Sequence, residues 1–299
     1  MSFILITLLS SVFYSFCNVI EAQFVNYKFK KITTMVFYIS IMNCMFLPLL
    51  LFFSMPTVPP KDVAVLLLLI GVIGSFQLYP YYKALQKMDT SAVIALWSIG
   101  YVIMPFMGYF ILGEVLKVSQ YVGFFMVIVS SVILSIGIDD VKRFKLNSAF
   151  YYMIVVSVCY SFFVVLEKKI LTMDDNWVNV VIYPMIVGCV VPSMALLFMK
   201  SRRDIIDSFY KYKKGLKFLV LNELFGFAAF VAAVYGLVGL SPVVSTAIIA
   251  TTSIFTFLII WGLSRFSKLK YQENMSLLTV IKKFVCFAMI ICGVVLSVS

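Results

Sequence analysis

Between Asp62 and Lys83 the chain reads VAVLLLLIGVIGSFQLYPYY, 20 residues without a charge. A helix of that length rises about 30 Å, the depth of a bilayer's hydrocarbon core. A strand is excluded, because the run is too long and does not alternate. Ten runs of this kind can be placed, at about 3–26, 33–53, 63–83, 91–112, 118–138, 148–167, 178–199, 216–238, 242–263 and 280–298. The first starts at once, without a basic leader or a small-residue cleavage site, so it reads as a membrane helix and not as a removed signal peptide. Overall 63% of residues are hydrophobic and 12% charged, with a mean hydropathy of +1.07. A soluble domain so apolar could not cover its surface. The expected fold is an all-α integral membrane protein with ten transmembrane helices.

The formal net charge of +11 reads as a topology signal and not as a nucleic-acid footprint. Of the 24 Lys and Arg residues, all but Lys61, Lys117, Lys168 and Lys169 fall near the connections after runs 1, 3, 5, 7 and 9. Positive loops stay in the cytoplasm. Those connections are therefore expected inside and both termini outside, in a multi-pass protein of a bacterial cytoplasmic (inner) membrane. The chain has no His, no C-x-x-C pair and no Walker A motif. His-based triads and relays are excluded, and no metal, cofactor or ATP hydrolysis is expected. Nothing in the pattern suggests an enzyme.

The chain nearly repeats itself. YSFCNVIE (14–21) and YSFFVVLE (160–167) stand 146 positions apart. Gly74 and Leu85 precede Gly226 and Leu237 by 152, and VILSI (132–136) answers VVLSV (294–298). Ten runs then divide into five and five, with halves at 1–146 and 147–299. An odd number of crossings inverts the second half, so the expected architecture is two inverted five-helix repeats in one transport unit.

The stretch Ala84-Leu85, Thr90-Ser91-Ala92, Gly113-Glu114, Gln120-Tyr121-Val122-Gly123 resembles the EamA-like, ten-helix branch of the drug/metabolite transporter superfamily. The second half keeps Gly236-Leu237, Leu240-Ser241-Pro242 and Gly293-Val294-Val295-Leu296. It departs at Arg265-Phe266, where the closing Glu is missing, and in the first half Tyr101 stands where the family often has Pro. The resemblance implies transport of a small metabolite and a central cavity lined by runs 1, 3, 4, 6, 8 and 9.

Polar groups within apolar runs are costly and usually face a partner or a watery path. Glu223, beside Asn222, is a candidate for proton or cation coupling; the alternative is pairing with a loop Lys. Glu21 and Glu167 close the two motifs and are candidate gating groups. Glu167 precedes Lys168-Lys169 and reads as interfacial, whereas Glu21 lies one to two turns deeper; both also fit helix-end residues that fix depth. Tyr14, Ser15, Tyr160 and Ser161 fall near the middle of their runs. Gln77 and Tyr81 share a helix face. Trp97 and Tyr101 form a stripe, and Thr252 and Thr256 supply hydroxyls. Taken singly, these residues fit ordinary helix packing. As a set they suit a small amphipathic ligand, and the aromatics suit an organic cation.

The expectation is a secondary active transporter working by alternating access, exporting an amino-acid-like or amphipathic metabolite. Organic-cation (choline-like) uptake and a non-transporting sensor or assembly protein are the alternatives. Its partners would be a small-molecule substrate, a coupling proton or cation and the lipid bilayer, with no nucleic acid, as a monomer or homodimer.

Overall fold

The computed structural model describes residues 2–27, 29, 31–97, 100, 103–135, 148–212, 215–266 and 276–298. Among them there is no strand. The helices are α1 (Ser2–Tyr27), α2 (Ile32–Cys44), α3 (Lys61–Leu85), α4 (Thr90–Leu96), α5 (Met104–Met107), α6 (Val118–Ser135), α7 (Ser148–Met173), α8 (Trp177–Ser193), α9 (Met199–Tyr212), α10 (Leu216–Gly239), α11 (Pro242–Ile249), α12 (Thr252–Phe266) and α13 (Leu277–Val298). Short 3-10 turns extend α2 and α8 at Leu47–Phe52 and Met194–Leu197. The protein is thus an all-helical integral membrane protein.

Local chemistry sets several boundaries. α3 starts after Pro60, carries Asp62 in its first turn and Lys83 in its last, which suits the helix dipole. The Asn176 side chain accepts from Val178 N–H and caps α8. Ser241 caps α11 in the same way ahead of Pro242, whose missing N–H costs nothing there.

The expectation of ten transmembrane helices is met in part. Among the described residues, eight helices are long and apolar enough to cross a bilayer. The run at 91–112 is not one helix. α4 stops at Leu96, and after α5 the chain forms a π turn, Gly108–Leu112. That turn ends at Gly113, whose φ of +71° is open to Gly at little cost. Next to it, burial pushes the Glu114 carboxyl up while Lys168 pulls it back. The run at 242–263 is interrupted too, between α11 and α12. There Thr251 and Ile254 N–H bond three residues back, to Ile248 and Thr251 carbonyls.

The connection at 200–215 also differs from expectation, for it holds the helix α9. Its charges keep it out of the membrane, while Ile205 is buried. The Tyr38 hydroxyl donates to the Ile205 carbonyl at 2.7 Å, and Lys31 pairs with Asp204.

α1 packs chiefly along α10, α3 along α7, and α6 along α13. α1 lays Ser11 and Ser15 against the Ile248 and Thr252 carbonyls, at 3.2 and 3.1 Å. α7 lays Ser157 and Ser161 against the Leu96 and Gly100 carbonyls, at 2.9 and 2.7 Å. One apolar cluster joins Phe24, Tyr82, Leu85 and Leu219 at one end of α3 and α10. Another joins Leu67, Ile70, Ile170 and Val234 at the opposite end. A cavity lies between them.

Candidate functional site

The cavity holds about 290 Å³. Its wall takes residues from α1, α2, α3, α4, α7, α8, α10 and the α11–α12 break. Two carboxyl groups dominate it. Glu21 Oε1 accepts from the Tyr82 hydroxyl at 3.0 Å and Oε2 from the Tyr81 hydroxyl at 3.1 Å. The Tyr81 hydroxyl also lies 3.0 Å from Asn18 Oδ1. Glu223 Oε1 accepts from Asn222 Nδ2 at 2.7 Å and Oε2 from Asn43 Nδ2 at 3.0 Å. Aromatic rings make the facing wall. Tyr81 stacks on Trp97, with centroids 4.8 Å apart, and Tyr160 packs on the other side of Trp97 at 5.9 Å.

Of the expected site residues, Tyr14, Gln77, Tyr81, Trp97, Tyr160, Asn222, Thr252, Glu21 and Glu223 line the cavity. Ser15 and Ser161 do not. Their hydroxyls donate to backbone carbonyls and hold α1 and α7 against the two broken segments. Thr256 is fully buried outside the cavity. Tyr101 lies outside the described residues.

Glu167 is only 4% exposed; α7 runs on to Met173, and Lys168 donates to the Leu237 and Val238 carbonyls. Its carboxyl faces a separate cavity of about 30 Å³. Tyr14, Tyr160, Phe163 and Phe230 line both cavities and form the layer between them.

Sequence reasoning missed Asn18, Ser40, Asn43 and Tyr82, and with them the contribution of α2 and α8 to the wall. The signal was present for Asn43, an amide alone in a long apolar run, which membrane burial makes expensive.

This geometry, a cavity with two carboxyl groups walled by helices long enough to span a bilayer, is where the sequence resemblance finds its match. Residues 1–136 match the EamA-like transporter family. The EamA-like match therefore covers α1 to α6, which carry Glu21, Gln77, Tyr81 and Trp97. No curated protein sequence matches the chain. A solved structure described only as "Crystal structure of protein" resembles it at a TM-score of 0.61 and 12% identity, covering 100% of this chain and 98% of that one. At that identity the likeness speaks for the fold alone.

Proposed function

We propose that this EamA-like chain is a secondary transporter that moves a small organic molecule across the membrane by alternating access. The observation that carries the reading is a cavity of about 290 Å³ between helices of both halves, largely apolar in its wall but lined by two carboxyl groups, Glu21 and Glu223. A sensor or assembly protein would have no need of this space at its centre. Nothing in the site resembles a catalytic constellation, so transport is preferred to lipid enzymology.

The two halves, 1–146 and 147–299, form inverted five-helix repeats of one ten-crossing unit. Hydrogen bonds support this. Ser157 and Ser161 stand 146 residues after Ser11 and Ser15, the offset of the repeated motif. Their acceptors obey the other offset: Ile248 and Thr252 follow Leu96 and Gly100 by 152. Each half thus fastens its first helix to the broken helix of the other half. Paired interruptions at equivalent places mark the binding region in transporters built this way.

The repeats differ in chemistry. Glu21 corresponds to Glu167, but its partners Tyr81 and Tyr82 correspond to Ala233 and Val234, and Glu223 corresponds to Gly71. The wide cavity sits on the side that keeps both acids and both phenols. Glu21 and Glu223 bind substrate or the coupling cation; Glu167 marks the opposite gate. An organic cation is favoured over an amino-acid-like metabolite, because no Lys or Arg is among the described residues lining the cavity. A substrate carboxylate would meet two acids and no counter-charge.

Uptake of labelled organic cations and amino acids into proteoliposomes tests the reading. Saturable flux of any of them supports transport; no flux across the panel overturns it. Orientation is tested separately. The Lys/Arg distribution predicts that small tags at both termini react with a membrane-impermeant reagent on intact cells of a bacterial host. Labelling only after lysis would reverse the orientation and leave the cavity reading intact.

A further inference from the structure

The hydrogen-bonding inventory of the cavity is unbalanced. Five buried polar atoms on its wall have no partner among the described residues: Asn43 Oδ1, Gln77 Oε1, Asn222 Oδ1, Trp97 Nε1 and Thr252 Oγ1. Three are acceptors, one is a donor, and one is a hydroxyl that can serve either way. The two Asn oxygens cannot be traded for donors by turning the amides. Each amide nitrogen already donates to Glu223, and a flip would set oxygen against carboxyl oxygen. Asn222 is 1% exposed, so its oxygen has no route to bulk water. Buried acceptors left bare are destabilising, and a site that keeps several is built for something that donates.

We propose that the site takes an organic cation bearing N–H donors, a primary ammonium with a short apolar tail, in preference to a quaternary ammonium; this rests on the transporter reading above. A primary ammonium supplies one positive charge and three N–H donors. Its three N–H groups find acceptors among the carboxyls of Glu21 and Glu223 and the unpartnered oxygens of Asn222 and Asn43. A quaternary ammonium has the charge without donors, so it satisfies the aromatic wall and leaves the amide oxygens bare. The tail lies against Trp97 and Tyr160, whose rings line the same space.

The test is a matched series on the full-length protein in lipid nanodiscs, with empty nanodiscs subtracted: n-butylammonium, n-butyltrimethylammonium and butyrate, measured by calorimetry. Butylammonium is expected to bind at least about tenfold tighter than the quaternary analogue, the worth of one charge-assisted hydrogen bond. Butyrate is expected to show no saturable binding. Glu223→Gln and Glu21→Gln, which keep side-chain shape, are each expected to weaken butylammonium about 10- to 100-fold. An unshifted melting temperature in either variant assigns the loss to binding and not to folding. Equal or tighter binding of the quaternary compound, saturable binding of butyrate, or no binding of butylammonium overturns the inference. If the proteoliposome panel still shows flux in any of those cases, transport stands and only the ligand class falls.

Discussion

Glu223→Gln should lower flux of a cationic substrate by roughly 30-fold or more, as expected when one member of a buried, hydrogen-bonded charge pair is removed at about 2–5 kcal/mol. The reason lies in what surrounds the carboxyl. Glu223 is 2% exposed, and both its oxygens accept from amides, Asn222 at 2.7 Å and Asn43 at 3.0 Å. A Gln side chain keeps the shape but turns one acceptor into a donor. It then faces an Asn amide nitrogen donor to donor. One hydrogen bond is lost, and the negative charge is lost with it. Glu21→Gln should be gentler on structure, because the Tyr81 and Tyr82 hydroxyls can rotate. Its effect on flux should be similar. If the two acids act on one bound cation, the double variant should transport no worse than the poorer single one, since groups working as a unit are non-additive. Glu223→Asp, which restores charge, should recover part of the flux. Full activity in Glu223→Gln would remove this residue from the transport path.

Much of this arrangement was readable in the residues. Long apolar runs such as 63–82 have one outcome in lipid, so the crossings could be placed closely. The paired motifs suggested the repeat that the serine–carbonyl bonds support. What escaped was set by tertiary contact. The ends of α4 at Leu96 and of α11 at Ile249 lie inside long apolar runs, and serines of α7 and α1 donate to carbonyls beside them. Ser15 and Ser161 looked like cavity hydroxyls, yet a serine on a helix facing a broken neighbour finds a bare carbonyl first. α9 was read as a connection because its charges interrupt hydropathy; the spacing of Ile205, Ile206 and Phe209 was the helical clue. Lys168, which follows Glu167, turns to the Leu237 and Val238 carbonyls; long Lys side chains can reach backbone acceptors, so a Lys does not by itself mark the end of a span.

The second large effect is expected at Gly100, with no change in charge or polarity. A Cβ built there would stand 2.4 Å from the Ser157 carbonyl oxygen and 2.5 Å from Ser161 Oγ. The serine hydroxyl can give way; the carbonyl belongs to α7 and can move only with the helix. Gly100→Ala should therefore push α7 from the broken segment and stretch the Ser161–Gly100 bond, now 2.7 Å. Overpacking of this kind costs about 1–3 kcal/mol. The melting temperature should fall, and Ser161→Ala should not restore it, because the closer clash is with backbone. In the proposed repeat Gly100 corresponds to Thr252, where Ser15 Oγ stands 3.1 Å from the carbonyl, so that contact already admits a side chain. Thr252→Ala should leave the fold in place. Trp97 lies three residues before Gly100 on the cavity wall, so the same displacement should loosen its stack on Tyr81 and weaken ligand binding. An unchanged melting temperature in Gly100→Ala would mean that α7 stands further off than the structure has it. The close approach that ties the first helix of one half to the broken helix of the other would then have to be withdrawn.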